Sequence, residues 1–170
     1  MKNNQRTFGE CKITKRKLHA GDIEIAVAQE FNYRQNIIVP NVSYGLGFQY
    51  ELDMLIVTKA GCIYEVEIKV SKQDLKADWK KEHHHDSPRI KGLWFAVPDY
   101  LEKDALELIP ERAGLLSIYQ SDWGNCLVKR VKYPKFNNKA PKITDKQRVK
   151  LGELAAMRIW SLKEHLYRKK

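Results

Sequence analysis

The sequence has no long hydrophobic segment and few cysteines. No apolar run among its 170 residues approaches the roughly 20 residues that a membrane-spanning helix needs. The first twenty residues also lack the apolar stretch of a secretory signal, so we expect a cytoplasmic protein. The three cysteines, Cys11, Cys62 and Cys126, show no Cys-x-x-Cys spacing, which argues against a disulfide framework and against a thiolate zinc site.

Positive charge is in excess and is concentrated toward the two ends of the sequence. Lys and Arg total 31 against 21 Asp and Glu, a formal net charge of +10. Residues 1–20 carry six basic residues and one acid, and residues 129–150 carry nine and one. This excess favours a polyanionic partner, and we expect DNA, with RNA as the alternative. We divide the sequence into a basic arm (1–19), a core domain (20–132), a linker (133–142) and a C-terminal helix (143–170).

The hydrophobic periodicity predicts a mixed α/β fold. A helix is expected over Asp22–Phe31, where apolar residues recur at every fourth position. Three strands, a helix and a buried strand follow, over Asn36–Val42, Glu51–Thr58, Cys62–Val70, Gln73–Lys81 and Gly92–Val97. A short helix, two strands and a basic C-terminal helix are then predicted over Glu102–Ile109, Ala113–Tyr119, Cys126–Lys132 and from Thr144 to about Tyr167. This order favours a mixed sheet, with hairpins first and a crossover helix later.

A tight turn sets the register of the second and third predicted strands. If Gly61 is the left-handed residue that ends a three-residue loop, Thr58 lies opposite Cys62. Asp53 then lies directly across from Glu67, with their Cβ atoms roughly 5 Å apart on one face of the sheet. Two carboxylates this close repel each other unless a cation lies between them. A divalent metal ion with oxygen ligands would fill that role.

Two further charged residues could complete this group. The same register places Lys69 opposite Glu51 and on the same face as Glu67, where it could neutralise the carboxylates, orient a water molecule or contact a phosphate. Glu24, on the helix that precedes the strands, could supply a third carboxylate. These additions favour a metal site over an isolated carboxylate pair.

The simpler explanation of the pattern is a half-buried strand. Glu65, Glu67 and Lys69 would then point to solvent, while Val66 and Ile68 face the core, because side chains alternate along a strand. This alternative predicts high exposure of all three charged side chains.

Asp53, followed fourteen and sixteen residues later by Glu67 and Lys69, forms a spacing that resembles the PD-(D/E)xK nuclease motif. The residue before Asp53 is Leu52, whereas the motif has Pro at this position. Many members of the superfamily also lack this proline. The order helix, three strands, helix, strand is similar to the core of that superfamily. A nearer similarity, over about residues 20–120, is to the MmcB-like DNA repair proteins and related phage nucleases. It is carried by the segments 65–81 (with a Ser-x-x-Asp-x-x-x-Asp pattern), 94–98 and 109–116.

This resemblance implies a restriction-endonuclease-like core that hydrolyses DNA phosphodiester bonds with Mg²⁺ or Mn²⁺, in DNA repair, recombination or phage DNA metabolism. Asp53 and Glu67 would bind the metal together with the carbonyl oxygen of Ile68. Lys69 would position the attacking water and offset charge in the transition state. Many relatives act as dimers, so the resemblance also implies a homodimer.

Several side chains outside the motif are candidates for catalysis or binding. The resemblance implies a helical glutamate, for which Glu24 is the best match and Glu30 competes. The run His83-His84-His85 is explained either by transition-metal binding or by a polar helix end. Lysines on or beside the helix after the motif are expected to follow the phosphate backbone, namely Lys72, Lys76, Lys80 and Lys81. The resemblance implies that Gln73 also lies near the substrate.

Two other functions fit the same composition. One is a non-catalytic nucleic-acid-binding protein that retains the nuclease fold. The other is a basic RNA-associated factor, in which the carboxylate pair would be incidental. Binding alone does not require Asp53, Glu67 and Lys69 together, so their co-occurrence favours the enzyme.

Overall fold

A six-stranded mixed β-sheet organises the fold. The computed structural model describes residues 16–43, 46–48, 50–78, 85 and 87–168. In chain order its elements are α1 (Ala20–Glu30), β1 (Ile37–Val42), β2 (Leu52–Val57), β3 (Ile63–Ile68), α2 (Lys72–Asp78), β4 (Gly92–Pro98), a 3₁₀ turn (Asp99–Leu101), α3 (Glu102–Leu108), β5 (Gly114–Gln120), β6 (Cys126–Lys132) and α4 (Asp145–Arg168). The predicted boundaries agree to within one or two residues, except that the predicted end of the second helix lies outside the described residues.

The strands lie in the sheet in the order in which they occur in the chain. The pairs β1–β2, β2–β3 and β5–β6 are antiparallel, whereas β3–β4 and β4–β5 are parallel. The two parallel connections need crossovers, and the stretches that contain α2 and α3 provide them. The predicted mixed α/β class, the order helix, three strands, helix, strand, and the C-terminal helix are therefore confirmed.

The predicted turn between β2 and β3 is present. Gly61 has φ +82° and its N–H donates to the carbonyl oxygen of Thr58 at 2.8 Å, while the N–H of Thr58 donates to the carbonyl oxygen of Cys62 at 3.0 Å. The resulting ladder pairs Met54 with Val66, as the predicted register requires. The short turn therefore determines which side chains of the two strands share a face.

Helices cover both faces of the sheet. On one face α1 packs Ile23 and Val27 against Val66 of β3 and the neighbouring strands. On the other face, one cluster on β1 and β2 includes Leu151 of α4, and a second cluster on β4 and β5 includes Leu75 of α2. The central strand β3 is therefore enclosed on both faces, so any charged side chain on it must find a partner within the protein.

Residues 133–143, which we call the strap, lie against one end of the sheet. Backbone N–H groups of the strap donate to loop carbonyl oxygens at three points: Lys135 to Arg112 at 2.9 Å, Asn137 to Lys91 at 2.8 Å and Ile143 to Gly61 at 2.9 Å. The stretch predicted as a linker is therefore tied to the core along its length.

The helix α4 begins on the sheet and extends beyond it. Gln147 and Thr144 form the reciprocal hydrogen bonds of a capping box, with the Gln147 N–H 3.3 Å from Thr144 Oγ1 and the Thr144 N–H 3.0 Å from Gln147 Oε1. Leu151 is fully buried, whereas the later part of the helix exposes large apolar residues, including Ile159, Trp160, Leu162 and Leu166. Among the residues described, no helix is both long and apolar enough to cross a membrane.

Candidate metal and catalytic site

Asp53, Glu67 and Lys69 lie together where β2 begins and β3 ends. The Lys69 ammonium is 2.7 Å from Glu67 Oε2 and 3.7 Å from Asp53 Oδ2. Asp53 Oδ2 also accepts a hydrogen bond from the backbone N–H of Ile68 at 2.8 Å. One cation thus contacts both carboxylates, and the predicted placement of the two acids on one face is confirmed.

The group is closed on one side and open on the other. The side chain of Glu67 is fully buried and that of Lys69 is 6% exposed, whereas the Asp53 side chain is 37% exposed. A solvent-borne ligand would therefore meet Asp53 first. Charges that are enclosed on the Glu67 side interact more strongly than they would in water.

The alternative of a solvated strand face is wrong. Glu65 and Glu67 have no solvent exposure and Lys69 has 5%. The reason is the position of β3 in the sheet: Glu65 is paired with Leu55 of β2 on one side and with Leu93 of β4 on the other, and these two leucines belong to the two apolar clusters. Strand alternation indicates the face of a side chain, but its exposure depends on what covers that face.

The predicted pairing of Lys69 with Glu51 is not part of the β2–β3 ladder. Strand β2 starts after Glu51, which is exposed, and β3 ends before Lys69, whose backbone N–H donates to the carbonyl oxygen of Ala96 on β4 at 3.1 Å. The ammonium of Lys69 is buried, so it needs an anionic partner within the protein, and Glu67 provides one. Glu51 is exposed, so water can solvate its carboxylate without a partner.

A second charged group, formed by Glu65, Glu67 and His85, adjoins the first. His85 Nδ1 lies 2.7 Å from Glu65 Oε1 and 3.6 Å from Glu67 Oε1, and His85 is 1% exposed. One donor atom from each of the three side chains lies within 4.8 Å of the others. This group could hold a metal ion.

Burial controls the ionisation of the residues around this group. The pKa of Glu65 is raised, mainly because burial disfavours its charged form, although the hydrogen bond from His85 opposes this shift. Tyr50 donates a hydrogen bond from its hydroxyl to Glu65 Oε2 at 3.0 Å, and burial together with the Glu65 charge raises the pKa of that hydroxyl. Tyr50 therefore remains a neutral donor to the carboxylate.

His85 is held from several directions. Its backbone adopts φ +55°, a left-handed conformation that non-glycine residues seldom take. The Arg112 guanidinium donates to the His85 carbonyl oxygen. The rings of Tyr50 and Phe95 stand edge-on to the imidazole, with centroids 5.6 Å and 5.9 Å away. No pattern in the sequence predicts Tyr50, Glu65 or Arg112 as partners of His85. Residues 83 and 84 of the histidine run lie outside the described residues.

The structure distinguishes the two candidate helical glutamates. The pKa of Glu24 is raised by burial and, to a smaller extent, by the negative charge of Asp53. Glu30 instead forms an ion pair with Arg130 at 2.7 Å. Of the two glutamates, Glu24 is therefore the one whose ionisation responds to the charge of Asp53.

The residues expected to bind nucleic acid are described only in part. Lys72, Gln73 and Lys76 lie exposed on α2, and Lys72 forms an ion pair with Asp104 at 2.6 Å. Lys80 and Lys81 lie outside the described residues. The described part of the predicted nucleic-acid surface therefore consists of exposed side chains, one of which pairs with a carboxylate of α3.

Comparisons with known proteins support the fold. No family model matches the sequence, and no curated protein matches it. A solved structure, the SPO1766 protein of unknown function from Silicibacter pomeroyi, is similar with a TM-score of 0.57 and 20% identity over 89% of this chain and 93% of that chain. At this identity the similarity concerns the architecture. Fold and site together define a mixed α/β protein with a buried carboxylate–histidine group that could hold a metal ion.

Proposed function

We propose that the protein is a metal-dependent nuclease that hydrolyses DNA phosphodiester bonds with Mg²⁺ or Mn²⁺. The observation that carries this proposal is the single ammonium of Lys69, held between Asp53 and Glu67 where β2 begins and β3 ends. The element order supports it, because it is the order that the PD-(D/E)xK resemblance implies. The expected homodimer stays a prediction.

The donors around Asp53 fit a hard divalent cation. Carboxylate oxygens are the ligands that Mg²⁺ prefers, and the resemblance adds the carbonyl oxygen of Ile68. The hydrogen bond from the Ile68 N–H fixes the Asp53 carboxylate, and the exposure of this side chain leaves a path for ion and substrate. When bound, the metal would stabilise charge on the scissile phosphate and make a bound water more acidic.

Lys69 and Glu24 have separate tasks in this proposal. Lys69 cannot move freely, because it is buried and contacts two carboxylates, so it can hold a water molecule in line with a phosphate and offset negative charge as it develops. The raised pKa of Glu24 gives this carboxyl group a greater tendency to carry a proton beside Asp53. In this proposal Glu24 would exchange a proton with a water molecule beside Asp53.

The charge of the chain suits a polyanionic substrate. The net charge of +10 attracts the phosphate backbone, while the buried carboxylates occupy only a small part of the molecule. In this proposal Lys76, which is exposed on α2, would contact the phosphate backbone. Binding of this kind would weaken steeply as salt is added.

The test is a cleavage assay with single-stranded, double-stranded and branched DNA and with RNA, in Mg²⁺ and in chelator. Asp53→Asn removes the charge but keeps an oxygen that accepts the Ile68 hydrogen bond, so the variant should fold. We expect cleavage to fall by about a hundredfold or more, with DNA affinity measured by fluorescence anisotropy within about twofold of wild type. Asp22→Asn, which removes a carboxylate bonded to Arg16, is the matched control and should cleave normally.

The outcomes separate the competing functions. Cleavage by Asp53→Asn at the wild-type rate would show that the roles are wrongly assigned. Salt-sensitive binding to DNA without cleavage of any substrate would favour the non-catalytic binding protein. A strong preference for RNA without cleavage would favour the RNA-associated factor.

A further inference from the structure

We propose that Glu65, Glu67 and His85 form a second metal site, one that takes a transition-metal ion such as Zn²⁺ rather than Mg²⁺. This site goes beyond the proposed nuclease activity, since Glu65 and His85 have no role in that mechanism. It shares one residue, Glu67, with the Asp53 group.

Two of the three donor–donor separations are close to the spacing that a tetrahedral ion requires, and all three donor atoms lie within 4.8 Å of one another. For bonds of about 2.0–2.1 Å, two ligand atoms of such an ion lie about 3.3–3.4 Å apart. The observed separations from His85 Nδ1 are 2.7 Å to Glu65 Oε1 and 3.6 Å to Glu67 Oε1. Each therefore differs from the ideal by less than about 0.7 Å, which a small rotation of the imidazole would correct.

The donor set selects the type of ion. An imidazole nitrogen with two carboxylate oxygens is typical of zinc and of other first-row transition metals. Mg²⁺ prefers oxygen ligands and retains several waters, which a group with almost no solvent exposure does not favour. The all-oxygen donors around Asp53 and the mixed donors around His85 therefore suit different ions.

The two oxygens of Glu67 face different neighbours. Its Oε2 is 2.7 Å from the Lys69 ammonium, whereas its Oε1 faces His85. Lys69 thus orients the carboxylate so that the other oxygen points toward Glu65 and His85. An ion bound there would act on the Asp53 group through the charge of this one shared side chain.

The surrounding contacts hold the ligands in place, as metal sites require. Tyr50 donates to Glu65 Oε2 and so leaves Glu65 Oε1 directed at His85. Arg112 fixes the backbone of His85, and Phe95 packs edge-on against its ring. Two buried carboxylates side by side are electrostatically unfavourable, and a divalent cation between them would offset that repulsion.

The experiment measures metal binding rather than activity. Full-length protein freed of metal with chelator is titrated with Co²⁺, whose visible absorption reports a tetrahedral site, and with Zn²⁺ in equilibrium dialysis. We expect one bound Zn²⁺ per chain and a Co²⁺ spectrum that Zn²⁺ displaces. His85→Gln should weaken Zn²⁺ binding at least about tenfold and abolish the Co²⁺ spectrum. The matched control His165→Gln, on the exposed part of α4, should change neither.

Further measurements keep the test decisive if His85→Gln does not fold. Glu65→Gln should weaken binding in the same way, and X-ray absorption of the wild-type Zn²⁺ complex should show nitrogen and oxygen ligands without sulfur. Absence of stoichiometric Zn²⁺ and Co²⁺ binding by wild type, sulfur ligation, or full affinity in folded His85→Gln would overturn the site. Zn²⁺ binding here without DNA cleavage would overturn the nuclease alone, and cleavage with Mg²⁺ but no Zn²⁺ binding would overturn this site alone.

Discussion

Replacing Lys69 by Met tests whether its ammonium compensates the buried carboxylates. Methionine has a similar length and no charge, so the change removes the cation and keeps most of the volume. Glu67, which has no solvent exposure, would lose a partner at 2.7 Å, and the more exposed Asp53 would lose one at 3.7 Å. Glu67 should therefore account for most of the effect.

The magnitude follows from the burial of the pair. Removing one partner of a buried ion pair costs about 3–5 kcal/mol, whereas a partly exposed partner adds less than about 1 kcal/mol. With a urea dependence of about 2 kcal/mol per molar, the unfolding midpoint should fall by about 1.5–2.5 M. The double variant Lys69→Met/Glu67→Gln removes both charges and should recover about 2 kcal/mol or more relative to the single variant.

The assay is urea unfolding in chelator, followed by the fluorescence of the four tryptophans. Lys135→Met is the matched control, because this lysine is 66% exposed and pairs with Glu111 at the surface. Its effect should stay below about 1 kcal/mol. If Lys69→Met loses no more stability than Lys135→Met, or if the double variant is as unstable as the single one, the ammonium does not compensate Glu67 and the reasoning fails.

Three further predictions concern the scaffold around the site. Arg130→Lys keeps the charge but loses the planar contact with three aromatic rings. The free energy of unfolding, measured by urea titration, should therefore fall by about 1–2 kcal/mol, and an unchanged value would contradict the stacking. Gly61→Ala places a Cβ at φ +82°, which should cost about 1–2 kcal/mol in the same titration, whereas wild-type stability would show that the turn adapts. The Arg16 guanidinium lowers the pKa of Asp22 to about 2 from 3.8, so the stability that Asp22 adds is present above about pH 4 and is lost toward pH 2. Urea midpoints of wild type and Asp22→Asn should converge over that interval, and a constant difference would contradict the shift.

Local sequence signals predicted much of the fold. The turn that ends at Gly61 determines the β2–β3 register, and that register alone brings Asp53 across from Glu67. Helix caps involve only a few neighbouring residues, so they can be predicted from the sequence in the same way. At the start of α2, for example, Ser71 Oγ accepts a hydrogen bond from the Asp74 N–H at 3.1 Å. These features depend on short stretches of chain, so a sequence pattern contains them.

The surroundings of Glu65 could not be obtained in the same way. Its burial depends on which distant segments cover β3, and its partner His85 lies twenty residues further along the chain. One signal was available, because the uninterrupted apolar strand Gly92–Pro98 indicates a sheet that is covered on both faces. If both faces of the sheet are covered, side chains on the neighbouring strand β3 are buried as well. A carboxylate on β3, such as that of Glu65, then needs a buried partner.

The strap has a consequence for how the chain can be cut and for when it completes its fold. Tyr133 packs against Trp94 with ring centroids 5.8 Å apart, and Phe136 packs against Tyr64 at 6.2 Å. A fragment that stops at Lys132 would uncover these rings and three loop carbonyl oxygens at once. During synthesis one end of the sheet must therefore stay open until residues 133–143, which follow β6 in the chain, have left the ribosome.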